Sequence, residues 1–194
     1  MTKQVQLKQT IEKLRGFDKE SHAKSLASGI MRSTKEDELA ARIEKANAVV
    51  AMLRSYGVSS FFAAEYAKIF TDPEKALETK GRMMATFQVK LSLSEKQSAK
   101  MADCIVFTAA KKFDSTTIRR LFSYSYGALK AGVPFDVVAD AVYYAPADVS
   151  PADLARRIVA TSLKKGKPLG ISESALSDRM SESLPLNLCL FEDI

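Results

Sequence analysis

The segment STKEDELAARIEKANAVVAMLRSYG, Ser33 to Gly57, decides how the chain is read. Leu39, Ile43, Ala46, Val50 and Leu53 recur at spacings of 4, 3, 4 and 3, the apolar stripe of an α-helix rather than the alternation of a strand. Ser33 and Glu36 form the S-x-x-E pattern of a capping box ahead of the stripe, and Gly57 stands where a left-handed residue would end it. The stripe is too short for a dimerising zipper, so it predicts a core helix.

The same signals extend in both directions. Leu7, Ile11 and Leu14 define one helix closed by Gly16; Ala23, Leu26 and Ile30 define a second, with Asp18 as its expected cap. Ser59 or Ser60 opens the apolar run FFAAEYAKIF, and Asp72 with Pro73 opens a helix reaching Val89. Ser94 with Gln97 is a second capping box, before a helix through Lys112 that carries Met101, Cys104, Ile105 and Thr108 on one face. Asp114 or Ser115, Pro134, and Ser150 with Pro151 mark three further starts; Gly132, Pro146 and Gly166 mark the ends.

GISESALSDRM predicts one more short helix, whereas LPLNLCLFEDI alternates leucines at Leu184, Leu186, Leu188 and Leu190. Residues 184–194 are therefore expected to form an apolar extended tail packed on the bundle or on a partner. The sum is an all-α fold, a compact irregular bundle of about nine or ten short helices in one domain spanning 1–194. A faint duplication of a helix pair is also legible. Gly57-Val58-Ser59 returns as Gly132-Val133-Pro134, DPEKAL as SPADLA, and Ala85-Thr86 as Ala160-Thr161, offset by 75 to 78 residues.

Composition limits function. An apolar fraction of 46% with 27% charged residues is that of a globular protein with a real core. No apolar run approaches the ~20 residues that cross a bilayer, and the amphipathic N-terminus lacks the apolar core of a secretory signal. A cytoplasmic protein is expected, although a chain whose signal had been removed would read the same. Two cysteines, Cys104 and Cys189, and one histidine, His22, disfavour a disulfide framework and a zinc site, so neither metal nor cofactor is expected. Cys104 reads as a small buried apolar residue.

The net charge of +6 raises the question of nucleic acid. Its excess is N-terminal, 11 Lys/Arg against 7 Asp/Glu over residues 1–56, and acids interleave with the bases. Lys8, Lys13, Arg15, Lys19, Lys24 and Arg32 thus form an alternative anion- or nucleic-acid-binding patch, secondary to a solvated surface.

Catalytic signals are sparse. His22 belongs to no HExxH, and Asp136 and Asp140 share a helix face at i, i+4 without a phosphate-binding loop nearby. A non-enzymatic protein is the expectation. The remaining feature is FSYSYGALKAGVPFDVVADAVYY, residues 122–144, with four of the six tyrosines. Helical geometry sends Phe122 and Phe135 to the core, leaves Tyr126 and Tyr143 at its rim, and turns Tyr124 and Tyr144 outward, Tyr124 beside Arg120. Tyrosine and arginine are enriched at interface hot spots. Tyr124, Tyr144, Arg120, Arg119, Tyr126 and Tyr143 are therefore the expected surface for another protein or for self-association, with the apolar tail as a second element.

Overall fold

The computed structural model describes residues 3–182, all helix and connection, with no strand among them. Its contacts group into two units, residues 1–78 and 79–194. The first holds α1 (Lys3–Lys13), α2 (Glu20–Ser33), a 3-10 turn (Glu36–Glu38), α3 (Leu39–Ser55) and α4 (Ser60–Ile69). Helix α5 (Pro73–Leu91) carries the chain into the second, which holds α6 (Glu95–Ala109), α7 (Ser115–Lys130), α8 (Phe135–Tyr143), α9 (Pro151–Lys164) and α10 (Glu173–Ser181). The tail at 184–194 and Cys189 lie outside the described residues.

Most starts are those the sequence marks. Ser59, Ser94, Asp114, Ser150 and Ser172 each accept a backbone N–H of the first turn, and Ser94 with Gln97 completes a full capping box. Asp72 Oδ1 accepts from the N–H of Glu74 at 2.9 Å.

Two expected caps are not used. Ser33 is the last residue of α2, and its hydroxyl donates back to the carbonyls of Gly29 and Ile30 at 3.1 and 3.3 Å. The acids after it form the 3-10 turn. Lys19, not Asp18, occupies the N-cap of α2, because the Asp18 carboxylate is drawn to Arg54 at 2.8 Å.

In the first unit, α4 packs on α2 and α3, and α1 packs on α2. Leu26, Ile30, Ile43, Val50, Leu53 and Tyr66 are fully buried. Arg42 of α3 donates to the carbonyls of Ala67 and Lys68, which satisfies the C-terminal end of α4. Burial at that site lowers the Arg42 pKa. Buried Glu65 accepts from Lys68 at 2.7 Å, and the same ammonium donates to Ser25 of α2 at 2.9 Å.

In the second unit, α8 packs on α6, α7 and α9, while α10 lies across α7 and α9. Phe87 and Phe122 meet at 5.0 Å inside a core that includes Met101, Ile105, Ile118, Leu121 and Leu154. Phe135, expected inward, is only half-buried. Phe135 lies beneath the Lys100 ammonium, 6.0 Å from its ring centre.

The two units repeat one backbone pattern. Gly57 and Gly132 both have positive φ, and at each the following valine returns its N–H to the carbonyl five residues back, Leu53 at 3.1 Å and Ala128 at 3.2 Å. Positive φ recurs at Gly16, Ser92 and Gly166, spaced 76 and 74 residues apart; Phe113 alone among the described residues stands outside the series. Burial follows the same period, with Ile43 matched by Ile118, Ala64 by Ala139, and Ala67 by Val142. Helices α9 and α10 begin a third copy, because Leu26, Met101 and Leu176 are buried at successive offsets of 75, as are Ile30, Ile105 and Met180. A fixed period of this kind is the signature of a repeat architecture.

Candidate interaction surface

An aromatic and cationic cluster gathers where α6 ends beside the end of α8. Tyr144 follows the last residue of α8, and Pro146 two positions later cannot continue the helix. The orphan carbonyls are satisfied from α6 and the turn after it. Thr108 donates to the Val142 carbonyl at 2.7 Å, and the Lys111 ammonium donates to the carbonyls of Tyr143 at 3.2 Å and Ala145 at 2.6 Å. A cation at a helix C-terminus also suits the dipole.

These bonds fix an aromatic stack. Phe107 of α6 lies parallel to Tyr143, with ring centres 4.2 Å apart at 8°, and Lys111 sits over Phe107 at 5.1 Å. Tyr144 stands edge-on to Tyr143 at 5.0 Å and 85°, yet keeps 73% of its surface exposed. Parallel and edge-on pairs are the favoured aromatic geometries. Tyr144 is thus an exposed ring held from behind.

The other expected members go elsewhere. Tyr124 is half-buried on α7 rather than outward, and Tyr126 is half-buried as well. Arg120 is half-buried and donates to the Ala147 carbonyl at 2.8 Å, so its head fixes the connection after α8. Arg119 is exposed. Lys112 pairs with Asp148 at 3.1 Å, and this lysine holds the Asp148 carboxyl below its ordinary pKa. Sequence reading missed Phe107 and Lys111, whose roles depend on the pairing of α6 with α8. The available signal was Phe107, one residue off the predicted apolar face.

Groups that carry catalysis elsewhere are engaged in the fold. Lys167 bonds Asp136 at 2.8 Å, Lys165 bonds Asp140 at 2.6 Å, and the two ammonium groups balance the two carboxylates. The Lys167 bond holds Asp136 below its ordinary pKa, and the Asp140 bond holds Lys165 above its own. Burial pushes the Cys104 thiol up to about 12, so it carries almost no thiolate at neutral pH. His22 Nδ1 lies 2.9 Å from the Ser60 hydroxyl, a pairing the sequence does not disclose. Ser60 is 1% exposed, so this bond ties α2 to α4 without presenting a nucleophile. No cluster of three or more His, Cys, Asp or Glu side chains among the described residues is placed to hold a metal.

Lys8, Lys13, Arg15, Lys19, Lys24 and Arg32 are all exposed, spread over α1, the connection after it and α2. Lys8 and Lys13 are five residues apart, about 140° around α1, so they do not make one stripe. No helix among the described residues is long and apolar enough to cross a membrane.

The chain matches no family model, and comparison with curated proteins and with solved structures found no match.

Proposed function

We propose that this is a non-enzymatic binding module that engages another protein through the aromatic cluster where α6 and α8 end, with Tyr144 as its anchor. One observation carries the reading: Tyr144 is 73% exposed while its neighbours hold it edge-on against a stacked pair. A ring already positioned loses little rotamer freedom on binding, which is why rigid tyrosines serve as anchors at interfaces. Lys112 and Asp148, both exposed, supply charged groups nearby for a polar rim. A binding role also fits the titratable groups, since Asp136, Asp140 and Cys104 are engaged or buried.

The test is recovery of bound proteins from extracts of the native host with the wild-type chain and with Tyr144→Ala, alongside sedimentation of each alone. Loss of a bound protein by about tenfold or more, with an unchanged melting temperature, is the expected outcome of truncating an anchor. Equal recovery by both chains overturns the proposal. Concentration-dependent assembly of the wild type that the variant lacks would make the partner a second copy.

A further inference from the structure

Two features that the second copy has and the first lacks lie in one place. The offset of 75 holds through Phe70 and Ala145, both buried, but the helix starts that follow, Asp72 and Ser150, stand 78 apart. The connection after α4 is residues 70–72, whereas that after α8 is residues 144–150. Insertions in a repeat map to loops on one face, which is often the face that binds. The turn before α7 departs as well: Phe113 has a φ of 54°, where its counterpart Glu38 has −94°. A bulky residue in the left-handed region is a costly conformation that gathers at functional sites. Lys112, next to Phe113, joins the two departures through its 3.1 Å bond to Asp148.

The longer connection is held firmly, with one edge outward. Ala145, Ala147 and Val149 are buried, and Tyr144, Pro146 and Asp148 alternate with them and are exposed. Lys111 takes the Ala145 carbonyl at 2.6 Å, Arg120 takes that of Ala147 at 2.8 Å, and the Val149 N–H returns to the Pro146 carbonyl at 3.2 Å. A row fixed in this way loses little freedom when a partner covers it. Lys112 and Arg120 both act on Asp148, two cations to one carboxylate. The nearby acid Asp114 is turned instead to α7, where it accepts from the Thr116 N–H and the Thr117 hydroxyl.

We propose that this row selects the partner, and that it fits an acidic segment of another protein, which packs on Tyr144 and Pro146 while one of its carboxylates replaces Asp148 on Lys112. The inference rests on the reading of Tyr144 as an anchor. Both members of the Lys112–Asp148 pair are exposed, and ion pairs of that kind are weak and exchange readily. The displaced Asp148 stays in water, so no charge is left buried and unpaired. Asp148 is then the site's own competitor, holding the cation until a stronger acid arrives. A neutral segment gains nothing from Lys112, and a basic one is repelled by it and by Arg120.

The test selects random short peptides displayed on phage against the wild-type chain, with Tyr144→Ala as the counter-selection. Enriched peptides are then titrated by anisotropy on wild-type, Lys112→Glu and Asp148→Asn chains. The expected peptides are rich in Asp and Glu, and their affinity falls about tenfold on Lys112→Glu and rises about threefold on Asp148→Asn. A folding defect weakens binding in either variant, so the opposed signs separate charge from structure. Peptides that need Tyr144 but are basic, neutral or indifferent to both variants overturn this inference and leave the anchor standing. Failure to enrich any peptide that distinguishes wild type from Tyr144→Ala overturns both. Tyr144-dependent binding of a thymidine homopolymer that is tighter than that of the peptides also overturns the proposal, because the partner would then be a single-stranded nucleic acid.

Discussion

Gly127→Ala should destabilise the second unit, against the ordinary sign of that substitution. Within a solvated helix alanine is favoured over glycine by about 1 kcal/mol. Gly127 is buried in α7 directly beneath α10, and a Cβ built there would lie 2.5 Å from the Arg179 carbonyl oxygen and 2.9 Å from the Met180 Cα. Both obstacles are backbone, so no side chain can swing aside, and α10 must retreat by most of an ångström. What holds it is chiefly Leu176 and Met180, each fully buried.

Full burial of such a side chain contributes about 1.5–3 kcal/mol, so complete release of α10 costs about 3–6 kcal/mol, an upper bound. A partial shift costs about 1–3 kcal/mol, as overpacking does, with the helix preference of alanine offsetting part of it. The expected net loss is up to about 2 kcal/mol with α10 shifted in place, and more if it detaches. Urea unfolding gives the total, and hydrogen exchange at residues 173–181 shows whether the loss is local. Gly81→Ala is the control: Gly81 is exposed in α5 with open space around it, so it should gain about 0.5–1 kcal/mol. A Gly127→Ala chain as stable as wild type, with unchanged exchange in α10, would refute the reasoning.

Further expectations follow from the same geometry. Gly57→Ala and Gly132→Ala meet no atom within 4 Å but force alanine into positive φ, so each should lose about 1–2 kcal/mol, and similar amounts, in thermal melts. With Cys189 replaced by Ser, Cys104 should resist a thiol reagent at pH 8 until the chain unfolds; rapid labelling of the folded chain would contradict its burial and its pKa of about 12. The Asp136–Lys165–Lys167 cluster fixes a sign for pH dependence. Asp136 is depressed, so its contribution is present above the ordinary carboxylate pKa and disappears as pH falls through the depressed one; Lys165 is raised, so its contribution is present below the ordinary lysine pKa and disappears as pH rises through the raised one. Asp136→Asn should therefore flatten the acid limb of the urea-midpoint profile, and an unchanged acid limb would contradict the pairing.

What the sequence discloses and what it conceals divide along a physical line. Caps and turns are local, and Ser94, Asp114, Gly132 and Ser150 announce themselves because the groups they satisfy are two to five residues away. Ser33 misleads for the same reason: the S-x-x-E pattern is present, but the competing carbonyls of Gly29 and Ile30 belong to a helix already formed. The candidate surface fails where partners are distant. Arg120 looks free until the Ala147 carbonyl comes beneath it, and Phe107 looks incidental until Tyr143 stacks on it. The repeat shows faintly at Gly57 and Gly132 and hides elsewhere, because Leu26 and Met101, like Ala67 and Val142, keep their apolarity and not their identity, and because Ser92 takes the left-handed place held by Gly16 and Gly166.

A chain that repeats its own helices faces the hazard of pairing the wrong ones, within one molecule or between two. The polar contacts between α2 and α4 and between α6 and α8 are unlike, although the apolar residues beside them are nearly interchangeable. Were α6 to take the place of α2 on α4, Lys100 would stand where Ser25 receives Lys68, and two ammonium groups would meet at a buried glutamate large enough in charge for only one. The Glu65–Lys68–Ser25 arrangement thus acts as a key that rejects the neighbouring copy, and its removal should favour swapped assemblies more than simple unfolding.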